Sequence, residues 1–354
     1  MRVLYALFLW EDVGEAKFPE HLLVMTPKRS EGLTRSAKEF GILKNNTKLS
    51  CYFDFHCAII GLYETSYRNT KYILLDNPEE VMKLSMRIGA STLSHYQMTA
   101  VEAAKALLQL GFSLIELLCE EPHAHPDDLL RDGQVELLKK MSRELGVEWL
   151  IHAPVADVNF MSPNRSMRAE AERQLRQTIL LANEIDSRRI VFHIGGRPRM
   201  GLYDPDIGFS QAVEIIDRLL SEASKHDIVL LMENDPVVDG LAAVTPEECS
   251  RFIQAFNGKL GFLLDVGHAN LVSNTAASRF IHLLGPSLQG VHLSDNKGQR
   301  DEHLGIGEGT VNMAKLMEEL TEAAFQGELI LELLTAEGLP PARKIIEGLM
   351  ANGE

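Results

Sequence analysis

From Met86 onward, short apolar runs alternate with longer amphipathic stretches, and this alternation limits the fold more than any other feature. The apolar runs read as strands over 87–91, 113–118, 148–152, 189–194, 227–233, 260–265, 288–293 and 328–333. Helical periodicity falls between them, over 100–110, 126–145, 165–183, 211–224, 246–255 and 313–324. Several strands are unbroken Val/Ile/Leu runs, the pattern of strands buried on both faces of a parallel sheet. Helix starts are marked by Thr99, by Ser162-Pro163 and by Thr245-Pro246-Glu247-Glu248. Eight such units in roughly 250 residues match a closed (β/α)8 barrel. An open doubly wound sheet would need a glycine-rich phosphate turn after its first strand, and Ser91-Thr92-Leu93-Ser94 supplies none. The expected fold is therefore α/β, a (β/α)8 barrel over 86–354 behind an N-terminal extension over 1–85.

That extension differs in composition. It holds 11 of the 23 aromatics and balances 11 Lys+Arg against 11 Asp+Glu, so the remainder carries the whole net charge of −15. The balance gives no general attraction to nucleic acid or anionic membrane. No apolar run is long enough to span a bilayer. The apolar stretch from Val3 to Trp10 runs into Glu11 and Asp12 without a small-residue cleavage site, so it reads as a strand, not an export signal. Four cysteines without a CxxC pair fit a reducing, cytoplasmic setting. Glu79-Glu80-Val81 precedes Met82 and Met86, which gives one reading of 1–85 as upstream sequence with native translation starting at either methionine. An accessory segment is the other reading.

A parallel barrel brings the carboxyl ends of its strands to one face, so residues far apart in sequence meet there. The ends of these runs carry His152, His193, Glu233, Asp265, His292 and Glu332. His268, Asp301 and His303 follow in the next loops, and Asp301 and His303 share a face if that segment is extended. A lone histidine at a strand end is more often a hydrogen-bonded structural residue, and a lone carboxylate a cap or salt bridge. From His193 to Glu332, five consecutive strand ends bearing imidazole or carboxylate make a metal site the better reading. Gly195-Gly196 after His193 would let backbone approach a ligand closely. Arg165, Arg197, Lys297 and Arg300 lie in loops on the same face, where one could receive a phosphate. Asp295 sits beside them as a further substrate-binding candidate. Of the remaining histidines, His123 and His125 are placed to line the pocket mouth.

The segments LDVGHAN, VHLSDNKG and DEHLGIGEG make the chain from Met86 to about Gly348 resemble the xylose isomerase-like TIM barrels. That superfamily joins sugar isomerases and epimerases to endonuclease IV. The resemblance implies a single-metal set of Glu233, Asp265, His292 and Glu332, in which Glu233 and Glu332 also move the proton. It further aligns His152, His193, His268, Asp301 and His303 with the additional ligands of endonuclease IV. The Gly89–Ser94 segment and the Ile115-Glu116-Leu117 strand look more like the sugar phosphate isomerase/epimerase branch.

Two activities follow from the resemblance. The first is isomerisation or epimerisation of a sugar or sugar phosphate through an enediolate. The second is cleavage of DNA at abasic sites, for which Tyr96, Phe160 and Tyr203 are the loop aromatics available to edge a groove. The implied cofactor is one to three divalent ions, zinc throughout, or manganese, magnesium or cobalt if one ion is held. No membrane partner is expected, and a homo-oligomer is compatible with the sequence.

Overall fold

The computed structural model describes residues 86–197 and 204–352, with strand backbone also given at Leu4–Trp10, Leu23–Met25, Ala37–Lys44, Thr47–Asp54 and Thr70–Leu74. Tyr203 and a start at Met82 lie outside the described residues. The chain divides into two compact units, Met1–Ser85 and Met86–Glu354. In the first, Leu4–Trp10 pairs antiparallel with Leu23–Met25 and Thr70–Leu74, and Ala37–Lys44 pairs antiparallel with Thr47–Asp54.

The second unit is a closed barrel of eight parallel strands. They are β1 (Arg87–Ser91), β2 (Leu114–Leu118), β3 (Glu148–His152), β4 (Arg189–Phe192), β5 (Val229–Glu233), β6 (Gly261–Asp265), β7 (Leu288–Leu293) and β8 (Glu328–Leu331). Each pairs with the next, and β8 closes on β1. The helices are α1 (Ala100–Gln109), α2 (Pro126–Arg131), α3 (Gln134–Leu145), α4 (Arg165–Glu184), α5 (Pro205–Ala223), α6 (Pro246–Ala255), α7 (Val266–Val272), α8 (Ala276–Leu284), α9 (Met313–Glu322) and α10 (Leu339–Asn352). Among the described residues, no helix is long and apolar enough to cross a membrane.

All eight expected strands form, each within two residues of its expected bounds. The helices depart in identifiable places. The stretch 126–145 breaks into α2 and α3 because Gly133 takes a left-handed φ of 73°. Asp204 caps α5 and Pro205 occupies its first turn, so that helix starts earlier than 211. Asn164, rather than Ser162, caps α4 by accepting from the Ser166 amide.

Strand parity decides what faces the barrel interior. Leu114, Leu150, Val191, Leu231, Leu263 and Ile330 form a separate apolar cluster, one residue from each of six strands. Two residues further along each chain, on the same face, come Glu116, His152, His193, Glu233, Asp265 and Glu332. Two residues before come Glu148, Arg189 and Glu328, which with Arg87 close the opposite end. Arg87 donates to Glu148 at 2.6 Å and to Glu328 at 2.8 Å, and Arg189 also reaches Glu328. The barrel thus stacks an ion-paired floor, an apolar plug and a layer of imidazoles and carboxylates.

Candidate metal centre

The nine ligating residues expected from the sequence come together as three groups, each with ligand atoms within 4.8 Å of one another. His152, His193 and Glu233 form the first, His268, Asp301 and His303 the second, and Glu233, Asp265, His292 and Glu332 the third. Glu233 belongs to two. Its Oε2 lies 3.1 Å from His152 Nε2 and 3.2 Å from His193 Nε2, while Oε1 lies 3.4 Å from His292 Nδ1. Asp301 Oδ2 sits 3.2 Å from His268 Nε2 and 3.0 Å from His303 Nε2. Glu332 Oε2 is 3.0 Å from His292 Nδ1.

Each imidazole is held from behind. The Nδ1 atoms of His152, His268 and His303 bond to the carbonyls of Ala153, Asn234 and Glu332 at 2.9, 2.8 and 2.9 Å. His193 Nδ1 bonds to Asp235 at 2.7 Å, and His292 Nε2 to Glu116 at 2.8 Å. Such anchoring fixes ring orientation and leaves the other nitrogen facing the cluster, as ligating histidines require.

The electrostatics of the protein alone are strained in a telling way. Burial raises the Asp265 carboxyl, with Glu233, Glu332 and Asp301 adding to the effect, to about 7. Burial also opposes ionisation of Glu233 and Glu332, yet the surrounding histidines hold Glu233 well below the usual carboxylate range and Glu332 at about 2. Burial pulls His268 and His303 down, but their carboxylate neighbours lift them to about 9 and about 10. Among the described residues Asp265 Oδ2 is buried without a hydrogen-bond partner, and buried His292 Nδ1 faces the carboxylate oxygens of Glu332, Glu233 and Asp265. Unpaired donor atoms converging at the end of an apolar plug are costly unless a cation meets them. The donor set, imidazole nitrogen and carboxylate oxygen, suits zinc and its first-row neighbours.

Other expectations change. His268 stands in the first turn of α7, not in a loop, because Asp265 caps that helix by accepting from the His268 amide at 2.6 Å. His303 has a φ of 44°, so Asp301 and His303 meet around a left-handed turn and not along an extended segment. Asp295 is fully buried, and its carboxylate accepts from the amides of Asn296, Gly307, Gly309 and Val311. It organises the loop after β7 and has no face for substrate. Arg197, partly exposed, pairs with Glu248 and donates to the Ala242 carbonyl, so a phosphate would have to compete with that pair. Lys297, Arg165 and Arg300 are exposed. Gly195 and Gly196 allow close approach to Asn159 and the Gly240 carbonyl, not to a ligand. His123 is buried against Met98 and Thr92, and His125 caps α2. Phe160 packs edge-on to Phe192 in the core, so it cannot edge a groove.

Glu116, Asp235 and Asn234 are the participants that strand-end reading passed over. Glu116 carried a signal, a carboxylate inside the apolar run LIELL on the inward parity. Asp235 lies two residues beyond Glu233, past the end of β5, where periodicity says nothing about direction.

A closed parallel barrel with nine imidazole and carboxylate residues gathered at its carboxyl end defines a class of (β/α)8 proteins with a candidate metal centre. Within that class the chain belongs to the xylose isomerase-like TIM barrel family, whose model matches residues 104–351. An uncharacterized protein of Methanocaldococcus jannaschii is 30% identical over 260 residues, spanning 70% of this chain and 84% of that one. The fructoselysine 3-epimerase of Shigella flexneri is 22% identical over 254 residues, 71% of this chain and 91% of the relative. A solved D-tagatose 3-epimerase-like protein matches with a TM-score of 0.69 at 25% identity, over 76% of this chain and 98% of that one.

Proposed function

We propose that the chain is a divalent-metal-dependent isomerase or epimerase of a sugar or sugar phosphate. The observation that carries this reading is the pair Glu233 and Glu332, whose carboxylates flank His292 Nδ1 at 3.4 and 3.0 Å. The sugar 3-epimerases among its relatives point the same way. Glu233, Asp265, His292 and Glu332 would hold the catalytic ion. When bound there, a divalent ion supplies Lewis acidity that lowers the cost of enolising a substrate carbonyl. Either glutamate, when ionised, can accept the proton α to that carbonyl. For epimerisation the ionised glutamate removes the proton to give the enediolate, while the other must start protonated and deliver its proton to the opposite face. The apolar plug beneath the site keeps bulk water from one side of this exchange.

A second reading, phosphodiester hydrolysis at abasic sites, is favoured by one observation. The ligand residues form three groups where a proton shuttle needs one. The buried Phe160 weakens it, because it removes one of the stacking surfaces DNA would use.

The test runs both reactions on one zinc-, manganese- or cobalt-loaded preparation with its metal counted. Incubation of a ketose panel in D2O should wash deuterium into the α position. Glu233→Gln or Glu332→Gln should slow this by about 10²–10⁴-fold, with the thermal melt of the barrel retained. Undiminished exchange in both variants removes the glutamates from the mechanism. Cleavage of an abasic-site duplex without any sugar exchange would replace the first reading by the second.

A further inference from the structure

The five histidines of the cluster are not mounted alike. His152, His193, His268 and His303 anchor Nδ1 and turn Nε2 inward. His292 is reversed, anchoring Nε2 on Glu116 Oε2 at 2.8 Å and turning Nδ1 toward Glu332, Glu233 and Asp265 at 3.0, 3.4 and 3.9 Å. A metal ion on Nδ1 leaves the proton of the neutral ring on Nε2, where Glu116 Oε2 stands to accept it. Glu116 projects from β2 on the inward parity and is fully buried, as is His292. Among the described residues its second oxygen has no hydrogen-bond partner. A carboxylate kept in that state is costly to the fold, and a well-packed apolar side chain there would often be neutral or stabilising. Among the described residues, no cation from Lys or Arg pairs with Glu116; its one ion-pair partner is His292.

We infer that Glu116 is a positioning residue, which locks His292 in the reversed orientation so that Nδ1, not Nε2, completes the Glu233–Asp265–Glu332 group. This rests on the metal-site reading above and adds to it the residue that sets the tautomer. Backbone cannot do the same work here, because the reversed ring points its far nitrogen across the barrel to β2 and not along its own strand. The other four rings find a carbonyl or Asp235 close to their own or a neighbouring strand end.

Zinc chloride alone is the probe, titrated into EDTA-stripped full-length protein, with zinc-loaded 15N-labelled samples for long-range proton–nitrogen spectra of the imidazoles. In the wild type one histidine should show protonated Nε2 with Nδ1 on the metal. Glu116→Ala should lose that signature and weaken zinc binding at this group about 10–100-fold. Glu116→Gln, whose amide oxygen accepts the same bond, should keep the signature and bind close to wild type. If Glu116→Ala does not fold, the Glu116→Gln spectrum decides, since loss of the Nε2–H pattern there overturns the assignment. Unchanged zinc affinity and spectrum in Glu116→Ala also overturn it, as does a Glu116→Gln protein as weak as Glu116→Ala. Wild-type protein that takes up no zinc overturns the metal-site reading itself.

Discussion

Single residues in this cluster carry opposite demands. Without a cation, the carboxylates are stabilised by imidazoles holding a proton; with one, the imidazoles must be neutral. His268 and His303 sit at about 9 and about 10 against an ordinary value of 6.5. A folded value above the unfolded one stabilises the fold fully below pH 6.5, and that stabilisation fades as pH rises through the folded values. Asp265 has already ionised above about 7, so the histidines govern the alkaline window. EDTA-stripped protein should therefore melt at steadily lower temperature from about pH 7 to about pH 10. Saturating zinc should remove that slope, because it binds the deprotonated ligands. A flat melting temperature in the stripped protein would mean these pairs contribute no stability. The number of ions is open to a residue-scale test as well. His193→Ala with His268→Ala removes one ligand from each of the two groups outside Glu233–Asp265–His292–Glu332. Metal counted by mass spectrometry should fall if all three groups load, and should hold near one ion if only the shared group does.

At the scale of elements, strand ends were legible because parallel strands buried on both faces read as unbroken apolar runs, and a polar residue closing such a run stands out. Parity inside the strand was legible too: Glu116, Leu231→Glu233 and Leu263→Asp265 all follow the period of two. Short helices were not. Helix α7, Val-Gly-His-Ala-Asn-Leu-Val, is short, with only Ala269 and Leu271 good helix formers, and Asp265 caps it directly off β6. The substrate candidates failed for a related reason. Loop charges such as Arg197 and Asp295 have no periodicity, and only the folded chain shows that Arg197 pairs with Glu248 and that turn amides occupy Asp295. The loop after β7 offers a test of that scaffold. Gly309 packs so closely that a Cβ there would overlap the Asn296 carbonyl and the Asp295 carboxylate. Gly309→Ala should displace the segment bearing Asp301 and His303, costing about 1–3 kcal/mol of stability as an overpacked site. It should also lower metal uptake while far-ultraviolet circular dichroism stays that of the barrel. Unaltered metal content would separate this loop's packing from the Asp301–His303 ligand pair.

The whole molecule raises the relation of residues 1–85 to the barrel's function. The family match, residues 104–351, falls entirely within the second compact unit. β1 begins at Arg87, one residue after that unit starts, and both of its strand neighbours, β8 and β2, lie within the unit. Arg87 itself is tied to Glu148, Glu328 and the Gly327 carbonyl, again within the unit. All nine ligating residues and Glu116 lie there as well. The sheet closes, the floor pairs and the upper layer gathers among residues 86–352. We therefore propose that a chain beginning at Met86 is sufficient for the fold and the site. Expressed alone, it should melt cooperatively within a few degrees of the full chain, bind the same number of zinc ions and exchange the same ketoses. A fragment that melts markedly lower or holds fewer ions would show that the first unit supports the barrel. Intact mass of the protein from its own host is the companion measurement. A mass corresponding to a start at Met82 or Met86 would make the barrel the native protein, and a full-length mass would make residues 1–85 an accessory segment.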